Sequence, residues 1–207
     1  MSSPHEAPLS EDSFGTSRKM LFNWGKKKLK PEEVARMFVH ATLDSIEDAW
    51  PDVLGMLRET PHLERVPEIE DAEVGPFLLV VMAGNLDFIP HFFDAGTDQV
   101  LVEAILSELA IQLDLPTPQL APKISQMRDA MVKLNKPSNK TLSAMSRGLY
   151  IGYDLNGCQE EYFRSLNVPN PRFLMQMEEV LQHFLWDWTS FHEQYRVHVS
   201  ASGGVIA

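Results

Sequence analysis

Phe77-Leu78-Leu79-Val80-Val81-Met82-Ala83 is an unbroken apolar run. Periodicity alone does not separate a buried strand from a buried helix in such a run, because every position is apolar. Pro76 stands at its start, and apolar residues continue at Leu86, Phe88 and Ile89, which makes the segment long for a strand. We read it as a central helix, apolar all round and covered by other elements.

The flanking segments supply that cover. Pro31 with Glu32 and Glu33 marks a helix start, where a fixed φ and negative charge are both favoured. Val34, Met37, Phe38 and Ala41 share one side of this helix, and Val39, Leu43, Ile46 and Trp50 share another, so it is expected to pack on two sides. Pro51 is expected to reset the chain, with a short separate helix through Leu54, Leu57 and Arg58. Downstream, Gly96-Thr97-Asp98 reads as a helix stop followed by an N-cap, and Val100–Leu113 as a core helix. Pro116, Pro118 and Pro122 mark a loop over 115–122. Leu120, Ile124, Met127, Met131 and Leu134 make one amphipathic stripe, and a further helix follows a Ser138/Asn139 cap through Leu142, Met145 and Leu149.

Residues 150–168 leave alternatives open. Tyr150-Ile-Gly-Tyr153 has a strand-like composition, and Asn156-Gly157 is a turn signal. Phe173, Met177, Val180, Leu181, Phe184, Trp188, Phe191 and Tyr195 line one face of a last helix expected to run unbroken. The spacing Gly148/Gly152 predicts a close approach of two helices. No internal repeat is present. The fold class expected is all-α, a single globular domain of about six or seven helices resembling a helical bundle over residues 31–198. A disordered tail (1–19) and a basic-aromatic arm (20–30) are expected before it, and a flexible tail (199–207) after it.

Composition bounds the function. The chain has 207 residues, 44% hydrophobic and 23% charged, close to the globular average, which argues against wholesale disorder. Of its charges, residues 1–30 hold six basic and three acidic groups, leaving 12 basic and 26 acidic ones in the remainder, a net of −14. A body this acidic repels phosphate backbones, so no nucleic acid is expected as partner. The single cysteine, Cys158, allows neither an intramolecular disulfide nor a cysteine zinc site and fits a reducing compartment. Met20–Trp24 is too short for a signal-peptide core, which needs about 7–15 apolar residues. A cytoplasmic location is expected, which leaves the sequon Asn139-Lys140-Thr141 without meaning. Met20 opens a stretch that also reads as a start of translation.

The catalytic templates fail. Neither G-x-G-x-x-G, nor a phosphate loop ending in Gly-Lys-Ser/Thr, nor G-x-S-x-G occurs. Cys158 has no activating base near it in sequence, and no cofactor is implied. Asp87, His91 and Asp94 are the one candidate metal set. On a continuous helix they would fall within ~60° of one another, and two carboxylates with an imidazole suit Zn or Fe. Pro90 argues against that continuity, and the structural reading is a helix end with a capping Asp. His183 and His192 point about 180° apart on the expected last helix and do not grip one ion together.

Two features point beyond packing. Trp186 lies about 180° from the centre of the last apolar stripe, so it is either covered by another element or offered to a partner. In Arg18–Lys30, Met20, Leu21, Phe22 and Trp24 precede Lys26, Lys27 and Lys28, a pattern that suits an acidic protein or, weakly, an anionic membrane surface. The alternative is that Phe22 and Trp24 pack on the domain while the lysines solvate or dock on its acidic surface. The sequence therefore leads to a non-enzymatic interaction module with a protein partner. A small metal-binding protein or enzyme, and a peripheral membrane protein held by the arm, stand behind it.

Overall fold

Seven consecutive apolar residues need cover on every side, and a computed structural model of the chain shows what provides it. The structure describes residues 26–134 and 140–199. The expected tail, Phe22, Trp24, the Ser138/Asn139 cap and residues 200–207 lie outside them. The run is helical, within α2 (Gly75–Phe92). Around it stand α1 (Pro31–Glu59), α3 (Thr97–Gln112), α4 (Thr117–Leu134), α5 (Thr141–Gly152), α6 (Glu161–Leu166), α7 (Pro171–Leu181) and α8 (Trp188–Gln194). Phe77, Val80, Val81, Met82 and Ala83 have no exposure at all. α2 packs against α3, α4, α5 and α8, α1 lies along α3, and α5 along α7. The domain is all-α, and its only sheet among the described residues joins two short strands, β1 (Lys27–Leu29) and β2 (Tyr195–Val197).

Several local expectations are corrected, among them the loop over 115–122, where α4 has already begun at Thr117 and carries Pro122 inside it. α1 does not stop at Pro51 but continues to Glu59. An interior proline costs a helix about 3 kcal/mol. Here its exposed ring sits between Trp50 and the buried Val53, Leu54 and Leu57, so both halves of the helix bury one continuous face. Pro90 likewise lies inside α2, which extends past it to Phe92 because Ile89 is fully buried. Tyr150–Tyr153 is the end of α5 and not a strand. Tyr150 points inward, and its hydroxyl donates to Asn156 Oδ1 (2.7 Å) and accepts from Gln159 Nε2 (2.7 Å). Burial pushes this phenol up to about 12.

The chain's end is corrected as well. The expected last helix is broken into α7, a 3-10 turn (Gln182–Phe184) and α8, with Leu185 extended between them (φ −81°, ψ 126°). The stripe survives the break. Phe173, Met177, Leu181, Phe184, Trp188 and Phe191 are all buried, because each piece faces the same core.

Close approaches through glycine hold α2 to α5. A Cβ at Gly148 would lie 3.1 Å from Val80 Cγ2, and one at Gly152 3.0 Å from Pro76 Cβ, as the spacing predicts. Gly84 is tighter, since a Cβ there would overlap the Met145 side chain, itself fully buried. Alanine is favoured over glycine in a helix by about 1 kcal/mol. Overpacking a core costs about 1–3 kcal/mol. Gly84→Ala is therefore expected to lower the urea midpoint despite its better propensity. Truncating Met145 to alanine should cost less in that background than in the wild type; strictly additive effects of the two substitutions would contradict the close approach.

Candidate functional site

The break at Leu185 leaves backbone groups that no helix satisfies, and one side chain of α2 takes them up. Asn85, fully buried, donates from Nδ2 to the carbonyls of Val81 (2.9 Å) and Phe184 (2.9 Å). Its Oδ1 accepts the Trp186 backbone N–H at 2.7 Å. The two groups flanking Leu185 are thus paired to one amide. Asp187 then starts α8 by accepting the Ser190 N–H at 2.9 Å, and its bonds to the Ser190 hydroxyl and backbone hold its carboxyl below the usual range. A lone amide inside an apolar run and the Asp187-Trp-Thr-Ser190 cap pattern are the sequence signals for these residues.

The turn assembles an aromatic cluster. Trp188, buried against α1, stacks on Phe38 at 5.5 Å and meets Phe93 and Phe191 edge-on at 5.7 and 5.8 Å. Trp186 packs its edge on Phe38 at 5.6 Å and is half-buried. The angle that set Trp186 off the stripe assumed an unbroken helix; with the break at Leu185 its ring lies against Phe38 of α1 and remains half-buried. Neither indole N–H meets an acceptor among the described residues, so packing alone holds the rings.

α8 ends in β2, which pairs in parallel with β1 in the register Lys27↔Tyr195, Lys28↔Arg196 and Leu29↔Val197. The His198 N–H continues the ladder to the Leu29 carbonyl at 2.8 Å. Side chains alternate across a strand. Leu29 is accordingly buried, with Tyr195 and Val197 half-buried, while Lys28 and Arg196 are exposed side by side. Lys26, Lys27 and Lys30 are also exposed. Lys26 Nζ donates to the His192 carbonyl, and Glu33 accepts the Lys30 backbone N–H at 2.7 Å to start α1. Among the described residues, none of these five cations is within ion-pair distance of a carboxylate. The last residues of the arm are therefore part of the folded domain. Next to the ribbon, Lys26, His91, Phe92, Thr189, His192 and Glu193 line an open cleft of about 320 Å³.

The structure does not assemble the expected metal set. Asp87 faces Arg128 at 3.9 Å and Thr141 Oγ1 at 3.4 Å. His91 opens on the cleft, and Asp94 lies beyond the end of α2, exposed. Among the described residues, no three His, Cys, Asp or Glu side chains come together to hold an ion. Burial pushes the Cys158 thiol up, away from the thiolate a nucleophile needs, and its carbonyl accepts the N–H groups of Glu64 and Arg65. Lys26 shares the cleft with His91, and Arg196 and Lys30 join the lysines without having been singled out by sequence, whereas Trp186 lies against α1 beside Ala41, Thr42 and Ser45.

No protein-family model, curated protein or solved structure matches this chain.

Removing the Asn85 amide leaves the Phe184 carbonyl and Trp186 N–H unpaired, each at about 1–3 kcal/mol when buried. Asn85→Ala is expected to destabilise by more than about 2 kcal/mol in denaturant titration and to shift tryptophan emission to the red. A variant as stable as the wild type, with unchanged emission, would show that the break does not depend on this residue.

Proposed function

We propose that the chain is a non-enzymatic protein-interaction module whose contact surface is the exposed basic face of the β1–β2 ribbon. The observation that carries this reading is the Lys28–Arg196 register pair. Like charges directly across two strands destabilise a sheet. The fold gains nothing from two cations in register there, on a domain whose remainder is acidic. A partner presenting carboxylates would turn that repulsion into attraction, and the acidic body would repel the same partner from every other face.

In this reading Lys26, Lys27, Lys28, Lys30 and Arg196 meet the partner. Phe22 and Trp24, a few residues before the ribbon, supply apolar anchors. We place the activity in the cytoplasm, in keeping with a single cysteine that allows no intramolecular disulfide. A membrane surface is the second reading, in which the same cations and the apolar Phe22 and Trp24 would supply the two signals that stable anchoring generally takes. Of the large exposed apolar side chains, Ile111, Val132, Ile151 and Tyr162 belong to the helical body, while Val199 follows just after β2.

The test is affinity capture from source cells with the full-length wild type and with Lys28→Glu/Arg196→Glu, both checked for native circular dichroism. A stoichiometric protein bound at low salt, released by about 0.5 M salt and missing from the charge-reversed variant supports the reading. Identical capture by both proteins would end it.

A further inference from the structure

Resting on that reading, we infer that the ribbon binds an extended acidic peptide segment as a third strand, its carboxylates at alternate positions lying along the Lys28–Arg196 face. Three observations lead to it. First, among the described residues the sheet has only two strands, so each keeps one edge unpaired. Parallel two-stranded ribbons of this length are marginal by themselves, and an added strand would complete backbone hydrogen bonds along the open edge.

Second, the cations are laid out on a strand lattice. Lys28 and Lys30 stand two residues apart, about 6.6–7 Å, and Arg196 stands one strand over at about 4.8 Å, while Lys26, two residues before Lys28, has its ammonium held at the His192 carbonyl. Lys30, at the start of α1, is still extended (φ −79°, ψ 155°), which carries the row to that position. A third strand repeats both spacings, so residues i and i+2 of an extended peptide fall beside this row. A helical peptide would bring its i and i+4 side chains to one face with a different pitch.

Third, the described acidic segment of this chain that alternates as such a strand would is poorly built for the role. Pro67–Glu70 has the right alternation, with Glu68 and Glu70 exposed and Pro67 and Ile69 buried. But Arg58 takes the Ile69 carbonyl, and Glu73 accepts the Glu70 N–H at 2.9 Å, so its backbone is engaged within its own copy. A second copy would reach the ribbon through side chains alone, and exposed ion pairs contribute little each. A separate, unfolded acidic segment keeps its backbone free.

The experiment uses full-length protein and a fluorescein-labelled peptide alternating glutamate with valine. A second peptide has the same composition with its glutamates in one block, and a third has N-methylated glutamate amides. Phosphatidylserine/phosphatidylcholine vesicles complete the set. The alternating peptide should bind best, at least about tenfold more tightly than the blocked one, and lose binding on N-methylation and in Lys28→Glu/Arg196→Glu. Equal binding of alternating and blocked peptides would overturn the strand lattice, as would binding that survives N-methylation. Vesicle binding with no peptide binding, or self-association on sedimentation that depends on the same cations, would assign the face to a membrane or to a second copy instead. Charge-dependent capture of a cellular protein without binding of any peptide would sink this inference while leaving the interaction reading intact.

Discussion

The fold depends on one buried amide. Asn85 sits in the middle of the most apolar helix of the chain, where an unpaired amide is costly, and every hydrogen bond it makes is to backbone. Its two contacts across Leu185 allow the last helical segment to break without leaving orphaned groups in the core. An unbroken helix from Pro171 would have carried Trp188 and Phe191 onward along a straight axis. With the break, α8 turns to bury both against Phe38 and Phe93, and β2 is delivered alongside β1. The polar residue in the apolar helix and the basic ribbon at the surface are two ends of one arrangement.

Charge is distributed as unevenly in space as in sequence. The helical body carries nearly all the acidic groups, with short pairs such as Arg58–Asp71 (2.9 Å) and His40–Glu108 (3.4 Å) binding neighbouring elements together. The ribbon collects cations that have no such partner among the described residues. At an ionic strength near 0.15 M the Debye length is about 8 Å, so the ribbon and the acidic body act as separate fields for anything docking on them. The parallel pairing gives those cations fixed spacing, which a disordered lysine run lacks.

Much of the helical framework was legible from the amino acids. The length of the run at Phe77, the glycine spacing at 148 and 152, and the stripe from Phe173 to Phe191 each report burial directly, and burial is what periodicity records. What escaped are features set by tertiary context. Pro51 reads as a stop because local sterics say so, but Trp50, Val53, Leu54 and Leu57 bury enough surface to keep the helix going. The break at Leu185 is invisible to a stripe analysis, since both sides of it face the same core. The ribbon joins opposite ends of the described chain through strands of three residues, and so short a non-local pairing leaves no periodic signal. The candidate metal set failed for a related reason: residues sharing a helix face by angle, as Asp87 and His91 do, can still be claimed by different neighbours.

The basic segment from Lys26 to Lys30 is a structured part of the domain. Site-resolved amide hydrogen exchange of the full-length protein tests it most directly, read at His198, whose N–H donates to the Leu29 carbonyl. Exchange there slowed well below the random-coil rate is the result this structure requires. Exchange at the coil rate, with the α2 amides still protected, would mean that the lysines are not held on a ribbon and that the surface argued from them does not exist.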